Sequence, residues 1–148
     1  SLGLHYVRGI GLRKDNAQAM HWIRLAADQQ HPHAEHAMGN IYTRGVGVRQ
    51  DLAVAFKWFQ LSAYQGEPNA QLALSKAYLS GAGVEKDLSM AYAWFTILRK
   101  QGGDMRGQAD KGIAMLARKL TPEQIVNAKR LAKDIASRIV VAPMLIDR

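Results

Sequence analysis

The chain has 148 residues and not one is cysteine, which excludes a disulfide framework and a thiolate metal site. That absence fits the cytoplasm and fits a disulfide-free periplasmic or secreted protein equally, so the compartment stays open. No stretch approaches the roughly 18 consecutive apolar residues that a membrane helix requires. Catalytic signatures are missing as well. There is no Gly-x-Ser-x-Gly elbow, no Ser-x-x-Lys pair and no thiol nucleophile. The His-Glu-x-x-His pattern of zinc proteases and the Gly-Lys-Ser/Thr of a phosphate loop are both absent. An enzyme is therefore the weaker class, and no cofactor is expected.

Acidic residues are the scarcer charge, giving a net charge of +8. The excess is concentrated from Arg106 onward, in Lys111, Arg118, Lys119, Lys129, Arg130, Lys133, Arg138 and Arg148. Such a patch suits an acidic protein, an anionic surface or nucleic acid. Aromatic side chains that could stack on bases are absent from the same stretch, which weighs against single-strand binding. The plainer reading is a solvated outer face on a terminal cap.

What the chain does contain is one phrase written three times. Tyr42-Thr43-Arg44-Gly45-Val46-Gly47-Val48-Arg49-Gln50-Asp51 recurs 36 positions earlier from Tyr6 to Asp15 and 36 positions later from Tyr78 to Asp87. The register continues through Ala19, Ala55 and Ala91, then Trp22, Trp58 and Trp94, then Gln29, Gln65 and Gln101. A fixed period of this size marks a stacked array of helix pairs, in which function is read from surfaces. Within the second copy, Ala34 to Thr43 reads as a first helix with Ala37, Met38 and Ile41 on its inner stripe. Gly39, matched by Gly3 and Ser75, keeps that helix small where its partner comes close. Gly45 and Gly47 turn the chain, Val48 plugs the gap, and Asp51 caps a second helix that runs to about Tyr64 on Ala55, Phe56, Phe59 and Ala63. Asp15 and Asp87 read as caps in the same way. Tyr, Ala and Trp at the repeated positions are expected to build the core.

This pattern, Leu-Gly-x-x-Tyr-x-x-Gly-x-Gly-Val-x-x-Asp-x-x-x-Ala-x-x-Trp-Phe followed by a Gln-Gly turn, resembles the Sel-one-like repeat, a relative of the tetratricopeptide repeat. The resemblance implies an all-α, right-handed α/α superhelix, a solenoid that holds other proteins together without chemistry of its own. Some cysteine-rich members are linked to penicillin binding or hydrolysis, and this chain lacks the cysteines that mark them. The expected organisation is repeats at 1–33, 34–69 and 70–105, a divergent capping helix pair at 106–139 and an apolar tail at 140–148. The opening at Ser1, inside a first helix, reads as a fragment or a processed product.

Two tempting sites are set aside. The Gly-x-Gly pairs lack the preceding strand and third glycine of a dinucleotide fingerprint. His31, His33, Glu35 and His36 could gather zinc or nickel, but the 36-residue register sets His31, His33 and His36 against Glu67, Asn69 and Leu72, so the array needs no metal there. After Leu98 the pattern fades. Thr121-Pro122-Glu123-Gln124 opens a last helix with a capping box and a proline at its first position, and Ile125, Ala128, Ala132, Ile135 and Ile139 give that helix one apolar stripe. Like the ends of bacterial members of the family, this closes the stack. The tail from Val140 to Arg148, apolar and broken by Pro143, should dock on its own superhelix or in a neighbouring chain's groove.

By the resemblance, the first helices line the concave face, and residues there that differ between copies serve recognition. With Gly39 as reference, these are Arg8, His33, His36, Asn40, Thr43, Arg44, Asn69, Lys76 and Leu79. Asn, Lys and Arg on such a face can hold a peptide backbone or a carboxylate. The expected function is a protein–protein scaffold or adaptor. The alternatives are a cell-envelope hydrolase and a binder of anionic surfaces or nucleic acid through the basic end.

Overall fold

The computed structural model describes residues 13–139. Gly3, Arg8, the first copy of the glycine loop and the 140–148 tail lie outside the described residues, as does the side chain of Asp15. Among the described residues there are seven α-helices and no strand: α1 Arg13–Asp28, α2 Pro32–Arg44, α3 Leu52–Ala63, α4 Pro68–Ser80, α5 Leu88–Gln101, α6 Arg106–Ala117 and α7 Pro122–Ala136. The fold is an all-α repeat solenoid.

Several helix boundaries have a local cause. The second copy's first helix begins at Pro32, two residues earlier than the expected start at Ala34. A proline at the first helical position gives up an N–H that would have no intrahelical partner anyway. Gly45 and Gly81 end α2 and α4 in the left-handed region, at φ 73° and 76°. The two following loops are near copies: the N–H of Asp51 donates to the carbonyl of Tyr42 at 2.9 Å, and that of Asp87 to Tyr78 at 3.0 Å. Both aspartates then cap, accepting from Val54 N–H at 3.1 Å and Met90 N–H at 3.0 Å. At Thr121 the capping box is complete, with Gln124 accepting from the Thr121 N–H at 2.8 Å and Thr121 Oγ1 accepting from the Gln124 N–H at 3.1 Å.

Packing follows the repeat. A Cβ on Gly39 would collide with the ring of Phe59, and one on Gly112 would come within 2.6 Å of the Phe95 ring. Phe59 and Phe95 are 36 residues apart, but Phe59 meets the glycine of its own pair's first helix and Phe95 that of the helix that follows it. The main core runs from Ala55 to Ile135, and a smaller one gathers Ile23, Ala27, Ala37, Met38 and Ile41; Tyr42 packs on both. Ala19, Ala55 and Ala91 are all buried.

Two expectations need correction. The repeated tryptophans do not share one environment: Trp94 is 1% exposed, Trp58 is half-buried and Trp22 is 63% exposed. Trp94 meets Tyr64 edge-on, 5.3 Å between ring centres, whereas the position that corresponds to Tyr64 beneath Trp58 is Asp28, too small and polar to cover an indole. The second correction concerns the end of the stack. In the repeats the two helices of a pair pack closely, α2 on α3 and α4 on α5, but α6 and α7 each pack chiefly on α5. The stripe Ala128, Ala132 and Ile135 seals the core against α5, and a cleft is left where a closed pair would have met.

Candidate functional site

The first helices α2, α4 and α6 carry a groove made of two adjoining recesses. Asn40 and Thr43 from α2 and Lys76 and Ser80 from α4 edge a recess of about 240 Å³ over Phe56 and Phe59. The next, about 440 Å³, lies over Phe95 and is edged by Lys76, Leu79, Gln108, Lys111 and Met115. Lys76 stands between the two. The charged side chains lining these recesses, Lys76 and Lys111, are both positive. Thr43 spends its hydroxyl proton on the Gly39 carbonyl at 2.8 Å, so toward a ligand its oxygen can only accept.

The other expected residues sit apart from this centre. His33 is at the opposite end of α2 from Thr43, about 15 Å along the helix at 1.5 Å per residue. It is exposed, and its Nδ1 contacts Glu67 Oε1 at 2.7 Å. Glu67 is buried and caps α4, accepting from the Asn69 N–H at 3.1 Å and from Asn69 Nδ2 at 3.2 Å. His33 and Asn69 are therefore joined through a carboxylate that also ties α2 to α4. His36 is half-buried, 5.6 Å from the Phe59 ring. Burial pushes its pKa down, with the Glu67 carboxylate acting the other way and His33 adding to the depression. Among the described residues no three His, Asp or Glu side chains are grouped to hold a metal ion. Arg44 is exposed at the end of α2 and lines neither recess; Arg8 lies outside the described residues.

Sequence reasoning missed a polar ladder. Gln65 Nε2 donates to Glu35 Oε1 at 2.5 Å, and one repeat later Gln71 Nε2 donates to Gln101 Oε1 at 2.6 Å. Glu35 and Gln71 are in register, as are Gln65 and Gln101, so one clamp joins the start of each first helix to the end of its partner. The in-phase glutamines were visible; their partners were hidden because one copy carries Glu and the other Gln. Glu35 is 2% exposed. Burial pushes its pKa above the ordinary 4.5, against the opposing effect of the Gln65 hydrogen bond. A carboxyl whose folded pKa is raised holds its proton longer in the native state than in the unfolded one, so stability falls as pH rises from 4.5 through the raised value. Glu35→Gln keeps the acceptor and copies the next repeat. The variant is expected to be more stable than the parent at neutral pH, with the difference shrinking toward pH 4.5; urea unfolding across that range measures it.

Residues 1–31, 32–67 and 68–103 each match the Sel1 repeat. The chain belongs to the Sel1-repeat family. Sel1-repeat proteins are generally non-enzymatic, protein-interaction scaffolds. The fold is similar to the crystal structure of c5321, a protective antigen present in uropathogenic Escherichia coli strains and displaying an SLR fold, with a TM-score of 0.83 and 31% identity. That match covers 94% of this chain and 29% of the antigen, so the chain spans under a third of that relative's length. It is also similar to a Sel1 repeat protein from Oxalobacter formigenes, with a TM-score of 0.62 and 38% identity over 68% of this chain and 77% of the other. No curated protein matches the chain. Among the described residues no helix is long and apolar enough to cross a membrane.

Proposed function

We propose that this Sel1-repeat chain is an adaptor that holds a segment of a partner protein along the groove of α2, α4 and α6. The observation that carries the reading is the placement of Lys76, which edges both recesses above a floor of phenylalanine rings. Apolar partner side chains would fill the recesses over Phe56, Phe59 and Phe95, and Lys76 would anchor a carboxylate or backbone carbonyl between them. Asn40 offers both a donor and an acceptor for an extended backbone. Leu79 lines the second recess and would add apolar contact there, while His33, His36, Arg44 and Asn69 would meet the partner's ends.

The test is capture of partners from a lysate, comparing the parent with Asn40→Ala/Lys76→Ala at low and moderate salt. A discrete protein retained by the parent should be lost by the variant. Once the partner is purified, the double substitution should weaken binding by about 1–3 kcal/mol. Retention unchanged by the variant would remove the groove as the site.

A further inference from the structure

We propose that the cleft between α5, α6 and α7 is a second docking site, separate from the first-helix groove, and that it receives an acidic segment of a partner protein bearing apolar side chains. The cleft measures about 660 Å³. It exists because α6 and α7 each pack chiefly on α5. Four cations line it: Arg99 and Lys100 from α5, Lys129 and Lys133 from α7. Its one acidic residue, Asp110, is held by Arg99 Nε at 2.6 Å. Beneath the charges the floor is apolar, made by Tyr92, Ile113 and Ala114. Lys100 and Lys133 also edge a further recess of about 320 Å³ that continues over Ile97 and Ala136.

The basic excess is thus partly gathered into one recess. Lysines brought together over an apolar floor repel one another, and an incoming carboxylate relieves that repulsion while its neighbouring apolar side chains cover the floor. The cleft and the first-helix groove do not merge. At 100° per residue, Gln108, Lys111, Gly112 and Met115 occupy one side of α6, and Asp110, Ile113 and Ala114 occupy the other.

The shape selects a peptide among anionic ligands. A flat bilayer would reach the lysine ends without touching the floor. Single-stranded nucleic acid is held by aromatic faces on which its bases stack, and the lining aromatic, Tyr92, is 5% exposed.

The experiment uses the full chain and a fluorescein-labelled amphipathic peptide with leucine on one face and glutamate on the other, followed by anisotropy. Binding should weaken with salt, and Lys129→Glu/Lys133→Glu should weaken it about tenfold or more. The loss caused by Lys129→Glu/Lys133→Glu should be equally large in an Asn40→Ala/Lys76→Ala background, where the first-helix groove is disabled. A peptide with lysine in place of glutamate should bind the reversed variant better than the parent, and that rescue excludes misfolding as the cause. No binding, binding indifferent to charge reversal, complete loss in the Asn40→Ala/Lys76→Ala variant, or equal preference for a thymidine oligonucleotide or phosphatidylglycerol vesicles would overturn the proposal.

Discussion

Trp94→Ala should lower the unfolding free energy by about 3–5 kcal/mol, the range for truncating a large buried aromatic side chain. The substitution at the corresponding Trp22 should cost less than about 0.5 kcal/mol, as at other exposed positions. The sequence gives no warning of this difference, since both residues follow the same Ala-x-x-Trp spacing within their copies. Their surroundings set it. Trp94 is sealed inside the main core, with the edge of Tyr64 against it at 5.3 Å. Losing the indole opens a cavity bounded by helices that other contacts hold in place, so the gap cannot close. Among the described residues Trp22 meets the ring of His21, 5.5 Å between ring centres, and it is 63% exposed. Trp58 should fall between them, because it packs on the smaller core around Ile23 and Ala27 while Asp28 leaves one side uncovered. Urea unfolding of the three variants checks the order; equal costs would mean that the repeat position, not its cover, decides the contribution.

The gradient shows where a repeat is legible and where it is not. Caps and turns were readable because they are local: Asp51 accepts from a residue three positions on, and Gly45 bonds back four. The Ala55–Phe59 stripe was readable from its helical spacing alone, although it is buried in the main core, where Phe56 meets Tyr78 of the next repeat at 5.4 Å. Burial across repeats was not, since it depends on what stands 30 residues away, Tyr64 in one case and Asp28 in the other. The Glu35–Gln65 clamp and the separate packing of α6 and α7 are contacts of the same long-range kind. For the groove, the register placed Asn40, Thr43, Lys76 and Leu79 on the lined recesses. It could not anticipate that Glu67 would occupy His33 and Asn69, or that Phe59 would half-bury His36.

The second glycine of the loop carries the largest inter-repeat consequence. Gly83→Ala should destabilise by about 3 kcal/mol or more, from two additive causes. Its φ of +78° lies in the left-handed region, which costs an L-residue about 1–2 kcal/mol. In addition, a Cβ there would strike the backbone carbonyl of Leu52, at the first turn of α3 in the preceding repeat. A side chain can swing away, but a helix carbonyl moves only with its helix. Gly66→Ala isolates the first cause, because Gly66 has φ +87° and nothing within 4 Å of its would-be Cβ; its cost should stay near about 1 kcal/mol. The difference between the two variants measures the contact between neighbouring repeats. In a linear array such contacts are what make the repeats unfold together, so Gly83→Ala should also broaden the urea transition, and Gly66→Ala should not. Equal costs and equally sharp transitions would mean that Gly83 serves the turn alone and that the repeats are coupled through their side chains.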